Sequence, residues 1–495
     1  MAEHHDPNAS SANRSGIRRG YLLMLAVLLA SLGSALKTWW ADGSWEAFRD
    51  GMVAQQAQKP AADEDAAPGA PSPAGESATA ASQQREQTPR APHFSDPTGR
   101  MAGFFAALAA LDAGRRRQPV RALYYGTSEI GYDRVTSQLR RLLQDRFGDG
   151  GKGFVAATPG WRQQKHQDIL WSSGGDWEIF TLRDGDNPDG LYGLAGVAAS
   201  PNGPAWLKVA TTPPDAGEQL YHDFPAGSRA SRFVLYYRTH PDAGPLHVRV
   251  DGDTVHTIDL GHAPKDRVFS LNLPDGPHSV RVDAPRASPA HIYGASLERR
   301  QGFTLDAAMV IGAWAHSFLN YSPEHIERQM ALRSPELVIF QLGAKEIFRS
   351  PYMSDTEANE FARSYTQAIA RIMSNADKRS CLVISPKDMG IRKRNLIITR
   401  PALPKIVAGA RQAALANNCA FFNLYAAMGG SGTMKRWWNR QPRLVSPDLG
   451  HLYLRGAVRV GTLISDTLLE ARKTYNKTTP HIPANRAVST QNTEK

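Results

Sequence analysis

The sequence predicts an α/β protein built on a parallel sheet, interrupted by an inserted all-β sandwich and preceded by an apolar N-terminal span. Three observations lead there. From about residue 100, and again after residue 300, apolar runs ending near glycine or proline alternate with helical stretches, as strands joined by crossover helices do. Between these regions, residues 161–300 read as short, partly alternating segments rich in Val, Ile, Phe and Tyr, punctuated by Gly, Pro and Asp. Ahead of them, residues 20–36 form a run of seventeen residues without charge, at the short end of what spans a bilayer.

Arg14, Arg18 and Arg19 precede that apolar run, and Trp39 and Trp40 follow it where an interfacial belt would lie. The charge asymmetry predicts a cytoplasmic tail over 1–19, a signal-anchor over 20–40 and a folded part in the periplasm, hence a single-pass inner-membrane protein. A signal peptide cleaved near Gly33 and Ala35 is the alternative. Residues 41–97 are rich in Ala, Pro, Gln, Ser and Glu and almost lack large apolar side chains, so a disordered tether is expected, with a similar tail over 475–495.

The α/β domain is expected over 98–160 and 301–474. "MAGFFAALAALDAG" has helical spacing, "VRALYYG" is a buried strand, and "YDRVTSQLRRLLQDRFG" is an amphipathic helix with Val135, Leu139, Leu142 and Leu143 on one side. After the insertion at 161–300, "MVIGAW", "SPELVIFQLG", "CLVISP" and "CAFFNL" read as strands. "SYTQAIARIMSNA", "LPKIVAGARQAALAN" and "RGAVRVGTLISDTLLEARK" read as helices. Right-handed crossovers bring the C-terminal strand ends to one rim, where such sheets bind ligands.

The net charge of +11 suits an anionic polymer or membrane surface, but equally a solvated basic face. No zinc finger, RNA-binding motif or aromatic-basic pattern accompanies it, so no nucleic-acid partner is expected. Cys381 and Cys419, the two cysteines, each open an apolar run. They read as buried thiols, with a bridge between neighbouring strands as the alternative in an oxidising compartment. No metal site is expected, since His4-His5 lies in a polar tail and no H-E-x-x-H spacing occurs. "GDGGKG" follows a helix rather than opening one, which argues against a phosphate loop.

Four places fall at or just beyond strand ends: Gly126-Thr127-Ser128, Gly312 to Ala315, Gly343 to Glu346, and Ser446 to His451. A serine at the mouth of a strand can act as a nucleophile, with a histidine as its base and an aspartate beside that histidine. Taken singly, Ser128 could equally cap a helix, Asp448 shape a turn and His451 be an ordinary surface or core histidine.

This pattern resembles the SGNH hydrolases, also called GDSL esterases, and within them the branch of cell-envelope polysaccharide (peptidoglycan-type) O-acetylesterases. Gly126-Thr127-Ser128 stands where the family has Gly-Asp-Ser. "LLQDRFGDGGKGFV", "SPELVIFQLG", the stretch from Asn418 to His451 and the Asp448-x-x-His451 pair are similar to that branch, over about residues 122–471. The resemblance implies a flavodoxin-like sheet with an inserted, carbohydrate-binding-like β-sandwich. It implies ester hydrolysis or acyl transfer without a cofactor, with Ser128 as nucleophile, His451 as base and Asp448 orienting it. The oxyanion hole would be built from the Ser128 and Ala315 N–H groups and the Lys345 side chain, with Trp314 and Glu346 binding substrate. The partners implied are an acylated polysaccharide and a membrane O-acyltransferase. Thr127 replaces the family's Asp, Trp314-Ala315-His316 replaces a segment such as Asn-Gly-Ala, and Lys345 replaces the amide donor Asn. A second reading keeps the fold but makes the chain a glycan-binding member of an acylation or export complex. In that reading Trp161, Trp171, Trp177, Tyr236 and Tyr237 stack on sugars, against the commoner role of such residues, a place in the core.

Overall fold

Val120–Gly126 is buried along its whole length and lies inside a six-stranded sheet. The computed structural model of the chain describes residues 93–212, 227–375 and 379–478. Phe303–Met309 flanks that strand on one side. Leu337–Gln341, Ser380–Ile384 and Ala420–Phe422 follow on the other, all parallel. Phe94–Ser95, within the expected tether, closes the far edge antiparallel to Ala420–Phe422. Among the described residues no helix is long and apolar enough to cross a membrane. The anchor expected at 20–40 lies outside the described residues, as do the cytoplasmic tail and most of the tether.

The sheet's connectivity positions the site. From Val120–Gly126 the chain passes to the strand on one side, then returns to Leu337–Gln341 on the other. Right-handed crossovers therefore place Arg134–Phe147 on one face and Asp355–Ile372 with Leu403–Ala416 on the opposite face. The reversal opens a crevice at the C-terminal ends of Val120–Gly126 and Leu337–Gln341. Gly343 makes the sharp exit there, at φ 108°, and a Cβ on it would meet Ile406 at 2.6 Å. The closing helix, Leu454–Thr478, packs against Arg134–Phe147 and runs past residue 474, into the expected tail.

Cys381, on Ser380–Ile384, is bridged to Cys419, just ahead of the neighbouring strand, with Cα atoms 4.8 Å apart. The reading as two free thiols is thus corrected. The alternative, a bridge between neighbouring strands, is what the structure shows, and adjacency in the sheet, not spacing along the chain, brings the two together. The bridge closes a loop of 38 residues. Its removal by Cys381→Ala with Cys419→Ala is expected to cost about 3–4 kcal/mol, read from the urea midpoint.

The all-β region forms one continuous antiparallel sheet of nine strands rather than two separately bonded sheets. It takes in Gly151–Ala156, ahead of residue 161, which pairs with His291–Glu298. Its end strands are Thr254–Ile258 and Asp266–Gly276, yet the rings of His256 and Phe269 lie 6.0 Å apart. The sheet therefore folds over on itself, around a second core that includes Leu207, Phe233, Leu235, Val248, Val282 and Leu297. The aromatic residues considered for sugar stacking are largely spent on packing. Trp161, Tyr236 and Tyr237 are buried, and the Trp171 and Trp177 indole N–H groups donate to the Ala156 and Gly174 carbonyls. A place in the core, the commoner role expected of such residues, therefore accounts for most of them.

A buried polar seam joins this sheet to the parallel one. The Arg333 guanidinium donates to both Asp306 oxygens, at 2.6 and 2.7 Å, and pairs with Glu298 at 2.5 Å. Arg121, on Val120–Gly126, donates to both Glu298 oxygens, and the Phe154 N–H donates to Asp306. Burial would raise the Glu298 carboxyl, but Arg333 and Arg121 outweigh it and hold it at about 2.

Candidate active site

Ser128 does not cap the helix that follows it. The chain turns tightly after Gly126, with the Ile130 and Gly131 N–H groups donating to the Thr127 and Ser128 carbonyls. Only Asp133 stands at the N-cap of Arg134–Phe147. Tyr132 and Asp133 both take left-handed backbone, at φ 62° and 56°, which costs non-glycine residues of order 1–3 kcal/mol each. Buried contacts hold this turn. The Asp133 carboxylate accepts from Arg140 at 2.9 Å, Lys152 at 2.7 Å and the Gln167 N–H at 3.0 Å. Burial disfavours its charge, but the two cations prevail and keep it well below the usual carboxylate range. Ser128 is left partly exposed at the strand mouth.

The last predicted block closes over it. His451 Nε2 lies 3.1 Å from Ser128 Oγ, and His451 Nδ1 lies 2.5 Å from Asp448 Oδ2. An ionised carboxylate only accepts, so Nδ1 carries the proton and Nε2 is free to accept from the serine hydroxyl. Asp448 Oδ1 accepts from the Gly450 and His451 N–H groups at 3.0 Å and from Ser446 Oγ at 2.5 Å. Burial pushes the Asp448 carboxyl up, but the bonds from His451, Ser446 and the two amides outweigh it and hold it far below its ordinary value. Asp448 therefore shapes its turn and orients the imidazole at once.

Ser128 and His451 open into a cleft of about 320 Å³ whose walls include Gly312, Lys345, Phe348 and Lys387. The second block differs from expectation. The Ala315 N–H donates to Glu346 Oε1 at 2.8 Å, and Ala315 does not line the cleft, so it is not free to meet an oxyanion. Gly312, three residues earlier, does line it. Neither the Ser128 nor the Gly312 N–H has an acceptor among the described residues. Lys345 faces the cleft with its ammonium 5.6 Å from the Trp314 ring centroid and no carboxylate partner among the described residues. Trp314 and Glu346, expected to bind substrate, line a neighbouring cavity of about 250 Å³ with His316 and Arg349 instead.

The sequence reading missed Lys387 and its pairing with Glu129. They form a buried ion pair at 3.0 Å in the wall of the cleft, 258 residues apart in the chain. Lys387 stands just beyond Ser380–Ile384, so the rule that placed the other four groups at strand ends could have found it.

Burial pushes the Glu346 carboxyl up to about 7, against the Ala315 N–H and Lys345, which favour its charge. The folded state thus binds this proton more tightly than the unfolded chain does. Stability from Glu346 is present below about pH 4.5 and falls by roughly 3 kcal/mol as pH rises to about 7. Glu346→Gln is expected to lose that part of the slope in urea midpoints measured from pH 4 to 8.

The geometry has a solved counterpart. A structure described as a peptidoglycan O-acetylesterase in action superposes with a TM-score of 0.61 and 21% identity, covering 77% of this chain and all of that one. The chain shares that structure's fold. A lipase/acylhydrolase from Enterococcus faecalis matches at 16% identity and TM-score 0.24, over 35% of this chain and 77% of that one. A catalytic mutant of an acetylxylan esterase from Geobacillus stearothermophilus matches at 13% and 0.24, over 35% and 72%. These two add no weight to the fold, which rests on the first. No protein-family profile and no curated protein sequence matches the chain.

Proposed function

We propose that the chain is a serine esterase acting on acyl esters of an extracytoplasmic polysaccharide, with Ser128, His451 and Asp448 as its catalytic triad. The observation that carries this is the unbroken relay from Asp448 through His451 to a half-exposed Ser128 at the wall of a cleft. Ser128 Oγ attacks the ester carbonyl carbon while His451 Nε2 takes its proton. The tetrahedral oxyanion is met by the N–H groups of Ser128 and Gly312, with the Lys345 ammonium in the same wall. The intermediate collapses, and the departing sugar oxygen takes the proton from Nε2. Water then gives a proton to Nε2 and attacks the acyl carbon, releasing the acid and restoring the serine hydroxyl. A sugar hydroxyl in place of that water would make the same chain an acyltransferase.

The polysaccharide and its acetyl ester are supported by the fold shared with the peptidoglycan O-acetylesterase. A periplasmic setting is supported by the Cys381–Cys419 bridge and by the apolar run at 20–36 behind an arginine cluster. A membrane O-acyltransferase is the partner this reading expects. The test is a serine-reactive fluorophosphonate followed by intact mass. One adduct, mapped to Ser128 and missing from Ser128→Ala, is expected. No adduct on the folded protein would remove the esterase reading.

A further inference from the structure

Between Asp388 and Asp448 the sequence holds ten lysines and arginines and not one aspartate or glutamate. The fold gathers six of these cations on one face. Arg392, Lys393 and Arg394 lie on the hairpin of Gly390–Lys393 and Leu396–Thr399, Lys435 lies on the helix Thr433–Asn439, and Arg440 and Arg443 lie just beyond it. All six are exposed, and none pairs with a carboxylate among the described residues. Hairpin and helix are packed together. The Arg392 and Arg443 guanidinium carbons lie 4.9 and 4.0 Å from the Trp438 ring centroid, and the Gly432 N–H donates to Thr399 Oγ1. Like charges held this close repel one another, and an anion bound from outside would relieve that repulsion.

This face runs into the cleft. The Gly390 N–H donates to the carbonyl of Leu449, between Asp448 and His451. Arg400, at the far end of the hairpin, donates to the Gly390 carbonyl and lies 4.8 Å over Phe348, whose ring is 6.4 Å from that of His451. Within the cleft, Lys345 and Arg134 likewise make no close ion pair with a carboxylate among the described residues.

We propose that the ester-bearing polymer is an anionic polysaccharide, drawn across this hairpin–helix face into the cleft beside Ser128. The proposal rests on the esterase reading and adds the charge of its substrate. Continuity with the cleft favours a polysaccharide over an anionic membrane, and Leu396 is the one large exposed apolar side chain on the hairpin.

The test is binding of the full-length protein to fluorescent polygalacturonate, beside dextran of equal length, phosphatidylglycerol vesicles and duplex DNA. Polygalacturonate is expected to bind, with affinity falling as salt is added, and dextran is not. Lys393→Glu with Arg394→Glu and Arg440→Glu changes three side chains that make no hydrogen bond or ion pair among the described residues. It is expected to weaken polygalacturonate binding about tenfold or more. Equal binding of dextran, unchanged affinity in the variant, or tighter binding of vesicles or DNA would overturn the proposal. Turnover of p-nitrophenyl acetate by the wild type separates the two readings. Polyanion binding without turnover removes the esterase, and turnover without polyanion binding removes the anionic polymer.

Discussion

Ser128→Ala is expected to lower turnover of a small acetyl ester by about 10⁵–10⁶-fold, with binding of the ester little changed. The whole relay ends on this hydroxyl. His451 Nε2 has Ser128 Oγ as its partner at 3.1 Å, and the Asp448 carboxylate reaches Ser128 only by way of His451. Asp448→Asn should cost less, about 10⁴-fold, because the imidazole stays in place but loses the acceptor that fixes its tautomer. Its amide would also confront four donors, from His451, Ser446 and the two backbone N–H groups, that a carboxylate can accept and an amide cannot fully serve. The measurement is kcat and KM on the same ester for each variant. A Ser128→Ala enzyme within tenfold of the wild type would end the serine mechanism.

Arg333→Met is expected to destabilise the protein by about 3–5 kcal/mol, because Asp306 and Glu298 would remain buried without their main countercharge. Arg333→Lys should fall between the two, since an ammonium keeps the charge but not the fork that meets both Asp306 oxygens. Added salt should change little, as the pair is shielded from solvent. Glu298 gives the pH signature. Its folded-state value is depressed, so its contribution is complete above about pH 4.5 and is lost as pH falls toward 2. Urea midpoints for both variants across that range check the prediction. A loss below 1 kcal/mol for Arg333→Met would mean the seam relaxes to admit water.

Much of the parallel sheet is legible because its strands are buried on both faces and end at small residues, as "VRALYYG" and "SPELVIFQLG" show. Ser128 is legible for a related reason, as the rim of such a sheet is fixed by connectivity. Asp448 and His451 lie in the loop ahead of Leu454–Thr478, beyond the helix Thr433–Asn439 rather than at a strand end, and are legible from their Asp-x-x-His spacing. The direction of a backbone N–H is not fixed that way. Ala315 turns its amide toward Glu346 because of loop dihedrals that no spacing encodes, and Gly312 takes its place in the cleft wall. Glu129 and Lys387 meet only once three strands are aligned, and the bridge from Cys381 to Cys419 needs the order of those strands. In the all-β region alternation marks some strands, such as Leu246–Val250 and Ser279–Ala284, but not others, such as His291–Glu298. Whether nine of them form one sheet or two depends on pairings between distant segments.

The position of Val120–Gly126 has a consequence for how the protein is made. Both of its neighbours in the sheet, Phe303–Met309 and Leu337–Gln341, lie far downstream, beyond the whole all-β region. A ribosome adding residues one by one leaves this apolar strand without a partner for roughly ten seconds or more. Through that interval the nascent chain carries an open, sticky β-edge that can pair with the wrong chain. The early helices can shelter it, but the native sheet waits until the second half of the domain emerges. Yield in cells should therefore respond to holdase chaperones more than to the stability of the finished fold.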